Sequence, residues 1–434
     1  VCQPGRPDPG AEAVQLYDAQ GRPAGTATRR RVRAQNLTHA ATAVVLRDGW
    51  GRVLVHRRTD TKDVYPGRYD FAAGGVVGAG EDPGEAAVRE LAEELGVTGV
   101  PLEPVGAGHY GDGQTDYWGH CFTATWDGPV RLQPEEVAWG DWWTMDRLVA
   151  ALDDPDWPVV PDTAALLGDW VRARAADRRP VAEQGWDSLA EVVEGRWLDR
   201  TPRREEVRAA LAVEAAVLPR LALHLPLAVP VPLVLDGDPW RVRHRLVPGR
   251  AADPGRLTAV DGAAVGAFLR ALHDRPPADW AGTGIGTEAD RLPVLDDLEH
   301  RVLPLLPADV RDQGRALIDR CRRAATGPRA LRHGDLGPEH VLVHAGRVHG
   351  VIDWADVAVG DPALDLAWTL HGTPDAFRDA LVAAYGPSPD ELARGRDWHL
   401  LGPWYEAHWG LTGGPGSSVA SGIDGAVRRL RATP

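Results

Sequence analysis

A chain of 434 residues, 44% hydrophobic and 25% charged, has the composition of a soluble globular protein and the length for two or three domains with cores of their own. The formal net charge of −14 argues against a nucleic-acid partner, which would need a basic face. Three scattered cysteines without a CxxC pair argue against a disulfide framework or a zinc ribbon. The longest apolar run, Leu218 to Leu235, carries Arg220, His224 and several prolines and is a poor membrane span, and the opening residues do not read as a signal peptide. A cytoplasmic protein acting on small molecules is expected, without nucleic acid or membrane; nothing points to an oligomeric state.

In chain order, Ala43–Leu46 and Val53–Val55 flank the turn Asp48-Gly49-Trp50-Gly51 and predict a hairpin. A strong helix follows at Pro83–Leu95, then helices at Met145–Leu152 and Thr163–Ala176. Arg174–Pro180 reads as a helix end and linker. Beyond it, strands around Ala190–Val193 and Arg196–Leu198 turn at Glu194-Gly195, and a long helix covers Arg204–Leu218. From about Leu257 the chain is mostly helical, interrupted by a loop, strand and strand over Leu331–Trp354.

The first chemistry-bearing segment is the helix at Pro83–Leu95. Asp82 is a natural N-cap, Pro83 suits the first helical position, Glu85 would complete a capping box, and Gly96 suits the position past the end. Glu90, Glu93 and Glu94 fall at i, i+3 and i+4 and share one face. Arg89 can pair with Glu93, but the remaining negative charge calls for hard cations, and oxygen-only ligands suit Mg²⁺ or Mn²⁺. Such ions bind diphosphates and activate water.

With Gly75, Glu81, Arg89, Glu90, Glu93, Glu94 and Gly96 at its fixed positions, the segment resembles the Nudix box, and the likeness extends over roughly residues 14–150. It implies an α/β/α sandwich on a mixed sheet, metal binding by Glu90, Glu93 and Glu94, and a catalytic base among them, assigned to Glu90. It also implies that Arg89 orients the carboxylates and Glu81 supports them. Glu136 is a further carboxylate candidate. The flanking residues look like the branch related to isopentenyl diphosphate isomerase, in which a basic pair at Arg58 and Lys62 would contact a diphosphate. Lys62 is the only lysine of the chain. Isomerase chemistry is not expected: Gly74 stands where the isomerase has its cysteine and Val76 where it has a metal histidine, which leaves His39 structural.

The second segment reads Leu331-Arg-His333-Gly334-Asp335, then His340, a strand pair, and Ile352-Asp353-Trp354. Phosphoryl transfer needs a carboxylate beside the acceptor hydroxyl and Mg²⁺ ligands on the nucleotide phosphates. With Gly360-Asp361-Pro362 and Asp365, the pattern resembles the aminoglycoside phosphotransferase family over about residues 183–400. That likeness implies a protein-kinase-like α+β fold with a small antiparallel-sheet N-lobe and a mostly helical C-lobe. It makes Asp335 the catalytic base and His340 and Asp353 metal ligands, with ATP or GTP as donor. His340 replaces the usual Asn, as in macrolide phosphotransferases. Asp361 and Asp365 would brace the loop. In the nucleotide lobe, the stretch from Gly185-Trp-Asp onward matches the first strands, Arg200 replaces the phosphate-pairing lysine, and Glu214 is its ion-pair partner. Asp199 and Thr201 stand where apolar residues are usual, and no strong glycine loop is visible.

The expected organisation is a first domain over residues 1–178, a linker over 179–182 and a second domain over 183–434. The reading is a bifunctional enzyme: Mg²⁺-dependent hydrolysis of a diphosphate linkage in a nucleotide-type metabolite, and transfer of a γ-phosphoryl group to a small-molecule hydroxyl such as that of an antibiotic or sugar. Two alternatives remain open: a hydrolase fused to an inactive pseudokinase, and a non-enzymatic ligand-binding regulator.

Overall fold

The structure is a computed structural model that describes residues 8–181, 188–287, 292–326, 329–413 and 418–432. The chain divides into two compact units, Val1–Val181 with Glu191–Trp197, and Ala182–Ala190 with Leu198–Pro434.

The first unit contains β1 (Ala13–Tyr17), β2 (Pro23–Thr28), α1 (Arg29–Gln35), β3 (His39–Arg47), β4 (Val53–Arg58), β5 (Tyr69–Asp70), α2 (Pro83–Leu95), β6 (Glu103–Gly111), β7 (Asp116–Thr125), β8 (Val137–Trp143), α3 (Met145–Leu152) and α4 (Pro161–Ala176). Eight strands form one mixed sheet: β3 pairs in parallel with β7 along its whole length, whereas β4 with β8 and β6 with β7 are antiparallel. The two-residue period of β3 explains the layering. Val44 and Leu46 pack with Ala87, Leu91 and Leu95 of α2, while Ala43 and Val45 pack with Leu148 of α3 and Leu167 and Val171 of α4. The sheet thus lies between helices on both faces, the expected α/β/α sandwich.

Helix α2 begins and ends where the sequence places it. Asp82 takes the amides of Gly84 and Glu85, and Gly96 closes the helix at φ 66° with its amide on Ala92 O. The expected return bond from Glu85 is not part of this cap; Asp82 satisfies both amides by itself.

The rest of the chain holds β9 (Arg178–Pro180), β10 (Ser188–Val193), β11 (Trp197–Pro202), α5 (Glu205–Leu221), β12 (Leu233–Leu235), β13 (Arg241–Arg245), β14 (Arg250–Ala251), α6 (Ala259–His273), β15 (Gly286–Thr287), α7 (Leu292–Asp297), α8 (Ala308–Ala325), β16 (Ala330–Arg332), β17 (Val341–His344), β18 (Arg347–Val351), β19 (Ala358–Gly360), α9 (Leu366–His371), α10 (Asp375–Tyr385), α11 (Pro389–Leu411) and α12 (Val419–Arg431). In the second unit, β13 lies between β12 and β11 in one sheet. The stretch Gly185-Trp-Asp lies outside the described residues. The turn between β10 and β11 has Glu194 at φ 49° and Gly195 at φ 63°, a left-handed pair suited to a tight hairpin.

Helix α5 outruns its expected end at Leu218. It carries Pro219 inside and stops at Leu221, because Val217, Leu218 and Leu221 are all buried in the core shared with α6 and α10, and that burial outweighs the lost backbone bond. Gly262 lets α6 and α10 approach closely: a Cβ there would stand 2.1 Å from Phe377 O. Among the described residues no helix is long and apolar enough to cross a membrane.

Candidate active sites

In the first unit, α2 carries the acids and the loop before it supplies their supports. Arg89 donates to Glu81 through Nε and Nη2 at 3.0 and 3.2 Å, to Glu90 Oε1 through Nη1 at 2.7 Å, and to Val76 O at 3.2 Å. Glu81 also accepts the Gly78 amide at 2.8 Å, so the guanidinium ties loop to helix and fixes Glu90. Arg89 is 3.5 Å from Glu93, whose side chain is 56% exposed. The structure therefore turns Glu93 toward solvent and draws Glu90 and Glu94 inward.

Glu94 is buried, accepts the Gly74 amide at 3.2 Å, and has Lys62 Nζ 3.4 Å from Oε1. The same ammonium touches Glu136 Oε2. Burial pushes the Glu94 pKa up against the pull of Lys62, with Glu136 and Glu90 adding to the rise. Burial raises Glu90 as well, opposed by Arg89. Glu136 is half-buried, yet its bond to Lys62 holds its pKa down. Arg58 is directed elsewhere: Nη2 donates to Val64 O at 3.1 Å and Nη1 lies 3.6 Å from buried Asp70.

Among the described residues no three His, Cys, Asp or Glu side chains converge into a preset metal cage. The donor chemistry nevertheless fits a hard divalent ion. Glu90, Glu94 and Glu136 offer oxygens only, their mutual repulsion needs added positive charge, and Gly75 makes room for the Glu90 carboxylate, where a Cβ would come within 2.5 Å. Gly74 is constrained differently: a Cβ there would meet Thr42 O at 2.0 Å, so the backbone has no space for a thiol at that position. His39 is buried, with Nδ1 3.0 Å from Leu37 O and its ring against Tyr117, a core histidine whose pKa burial lowers.

In the second unit the loop after β16 is held from beneath. Asp365 accepts the amides of His333 and Gly334 at 2.7 and 2.9 Å and contacts His273 Nε2 at 3.1 Å. These bonds, the strongest from His273, overcome burial and hold its pKa down at about 2. His333 accepts the Asp335 amide on Nδ1 and meets Ile352 O through Nε2, which makes it a neutral, Nε2-protonated imidazole. Gly334 sits at φ 93° with Asp356 O 2.3 Å from where its Cβ would be. Asp361 is bound by Arg394, Trp398 and the Ala363 amide. Asp365 thus braces the loop directly, whereas Asp361 ties its own turn to α11.

Above this floor the polar side chains form a row. His340 Nδ1 is 2.7 Å from Asp335 O and 3.7 Å from Asp335 Oδ2, and its Nε2 is 3.6 Å from Asp353 Oδ2. Asp353 holds a left-handed φ of 61°, a strained conformation for a residue with a side chain. Arg200 Nη2 lies 3.8 Å from Asp353 Oδ1, while Nη1 donates to both oxygens of buried Glu214 at 3.1 and 3.0 Å. Burial pushes Glu214 up to about 7 despite Arg200. The five sequence-predicted residues of this unit thus come together. Asp199 belongs to a different set: it is fully buried and paired with Arg243 at 2.6 Å and Arg241 at 2.9 Å. An apolar residue would remove the Asp199 carboxylate from both guanidinium groups.

Asp335 also opens onto a cleft of about 960 Å³, which the sequence reading did not identify. Trp368, Trp398, Tyr405 and Trp409 line it, with Arg332, Arg429, His399 and Asp356. Trp398, Tyr405 and Trp409 follow helical spacing along α11, the one sequence signal that marks this wall.

Fold and charge layout together are those of a hydrolase-type α/β/α domain followed by a kinase-like domain. The NUDIX domain family model matches residues 37–163, and that of the Phosphotransferase enzyme family matches residues 178–398. The chain belongs to both families, with a Nudix domain in front and a phosphotransferase-family domain behind. An uncharacterized Nudix hydrolase, orf19 of Rhodococcus erythropolis, is 43% identical over 173 residues, covering 38% of this chain and 94% of the relative. The uncharacterized Nudix hydrolase YfcD of Escherichia coli K12 is 39% identical over 164 residues, covering 38% and 89%. The GDP complex of an aminoglycoside 2'-phosphotransferase-IIIa superposes with a TM-score of 0.53 at 19% identity, over 63% of this chain and 99% of that one, which shows the shared fold.

Proposed function

We propose that the protein is a bifunctional enzyme. The first unit would hydrolyse a diphosphate linkage in a nucleotide-type metabolite, and the second would pass the γ-phosphoryl group of ATP or GTP to the hydroxyl of a small molecule.

In the first unit, Glu90, Glu94 and Glu136 would hold Mg²⁺ or Mn²⁺, with Glu93 at the solvent side. The ion would neutralise the diphosphate and lower the pKa of an attacking water. Glu90, buried and raised in pKa, would take that water's proton as a P–O bond forms and the bridging P–O bond breaks. Arg89 and Glu81 would keep Glu90 in place. Release of inorganic phosphate or a nucleoside monophosphate from nucleoside diphosphate compounds, lost in Glu94→Gln, tests this half; undiminished release in that variant defeats it.

In the second unit, Asp335 would accept the acceptor hydroxyl proton. The acceptor oxygen would bond to the γ-phosphorus as the bond to the β-phosphate oxygen breaks, leaving a nucleoside diphosphate. Asp353 and His340 would hold Mg²⁺, which would neutralise the phosphates, and Arg200 would add a further positive charge to them. The observation that carries this reading is Arg200 reaching both Glu214 and Asp353, with His340 linking Asp353 to Asp335. Acceptor-dependent nucleoside diphosphate release that disappears in Asp335→Asn tests it and separates it from the pseudokinase alternative.

The cleft narrows the acceptor. Its aromatic walls favour a bulky hydroxylated molecule with an apolar face. Its two arginines balance the two carboxylates Asp335 and Asp356, and burial, with Arg429 and His371, pushes His399 down to about 3, so that imidazole stays neutral. A polycation would find no excess negative charge there. Such acceptors should stimulate nucleoside diphosphate release less than hydroxylated macrocycles or polyphenolic glycosides; the reverse order would assign the cleft to cationic acceptors.

A further inference from the structure

Lys62 occupies ground that a metal ion would contest. Its ammonium touches Glu136 and lies 3.4 Å from Glu94, and its side chain is 16% exposed. The neighbouring cations are committed: Arg58 to Asp70 and Val64 O, Arg89 to Glu81, Glu90 and Val76 O. Lys62 is therefore the counter-ion in direct reach of Glu94 and Glu136 among the described residues.

The residue type matters. Every other basic side chain of the chain except histidine is arginine, 47 of the 48 Lys and Arg residues. A guanidinium would fork across two carboxylates in a fixed geometry, whereas an ammonium is a compact charge on a flexible stem, easily moved. Two cations cannot both be first neighbours of the same pair of oxygens without mutual repulsion. An incoming divalent ion, with twice the charge, would displace the ammonium rather than join it.

We propose that Lys62 is an exchangeable counter-ion: it neutralises Glu94 and Glu136 until a divalent metal takes their oxygens, and the released ammonium then binds the diphosphate of the substrate. The inference rests on the hydrolase reading of this unit. It gives Lys62 two opposite effects, weakening metal binding and strengthening diphosphate binding, whereas a plain phosphate ligand has only the second and a structural ion pair neither.

The test is calorimetric titration of the full chain with Mn²⁺, then of the Mn²⁺-loaded chain with inorganic pyrophosphate. Lys62→Met should bind Mn²⁺ about fivefold or more tightly than wild type, the scale of one partly screened ion pair, and pyrophosphate about fivefold or more weakly. Lys62→Gln is the second variant should Lys62→Met lose its cooperative unfolding transition. Mn²⁺ affinity that is unchanged or weaker in a folded variant overturns the exchange, and unchanged pyrophosphate affinity overturns the release step. Absence of Mn²⁺ binding to wild type and variants alike would defeat the hydrolase reading itself, a result distinct from equal binding to all.

Discussion

Arg200 of β11 shares one guanidinium between Glu214 of α5, at 3.0 Å, and Asp353 beyond β18, at 3.8 Å. The bond brings a strand, a helix and a loop of the second unit to one point and uses two edges of a rigid fork, a geometry a lysine ammonium would not reproduce.

Glu214→Gln should therefore remove the anchor of Arg200 and lower phosphoryl transfer by roughly 10- to 100-fold, on the scale of a mispositioned phosphate contact. It should also change the pH dependence of stability. A carboxyl group held at about 7 when folded and near 4.5 when unfolded contributes stability that is complete below 4.5 and is lost as pH rises through about 7, on the order of 3 kcal/mol. Denaturant unfolding between pH 4.5 and 8 should show a flatter profile for the glutamine variant; parallel profiles would count against a buried, raised Glu214.

Gly74→Ala tests the packing beneath the first site. The added methyl would fall 2.0 Å from Thr42 O, a backbone atom of β3 that cannot move alone. Destabilisation of about 2–3 kcal/mol is expected, with hydrolysis falling alongside because Gly74 N also holds Glu94. An alanine variant with wild-type stability would mean the loop shifts freely.

Glu94→Gln and Glu81→Gln should separate binding from support. The first replaces one carboxylate oxygen by an amide nitrogen and removes the negative charge, so apparent Mg²⁺ affinity should fall by about tenfold or more. The second loosens Arg89 and through it Glu90, so kcat should drop while Mg²⁺ affinity changes less. Equal losses of Mg²⁺ affinity in both variants would make Glu81 a ligand.

His56 lies buried in the first unit, and burial, followed by the charges of Arg58 and Lys62, pushes its pKa down to about 3. A histidine held neutral when folded contributes stability present above its unfolded pKa of about 6.5 and lost as pH falls toward 3. At pH 4.5 that loss is on the order of 2–3 kcal/mol. His56→Phe should lessen the decline in stability between pH 6.5 and 4.5; an unchanged decline would mean that other groups carry it.

Both folds were legible because their signatures are local. The spacing of Glu90, Glu93 and Glu94 and the caps Asp82 and Gly96 fix α2 and its acidic face within one stretch of chain. His333, Asp335, His340 and Asp353 sit on one loop and hairpin. What sequence could not supply is the choice among equivalent partners. Three glutamates share a helix face, but only the packed structure turns Glu93 out and brings Lys62 onto Glu94. Lys62 and Arg58 looked alike as a basic pair, and Asp70 separates them. Asp199 looked anomalous because its partners, Arg241 and Arg243, lie on a strand distant in sequence. The aromatic cleft is assembled from segments as far apart as α5 and α12, and no single segment announces it.

The proposed enzyme carries two independent phosphorus chemistries on one chain. Their independence is tested most directly by a ³¹P NMR time course of the full chain with Mg²⁺, ATP or GTP, a panel of hydroxylated acceptors and a panel of nucleoside diphosphate compounds. In the wild type, a phosphomonoester signal on an acceptor and cleavage of a diphosphate are expected. Asp335→Asn should lose only the first signal and Glu94→Gln only the second. Loss of both signals in either variant, or survival of both in each, would contradict that independence.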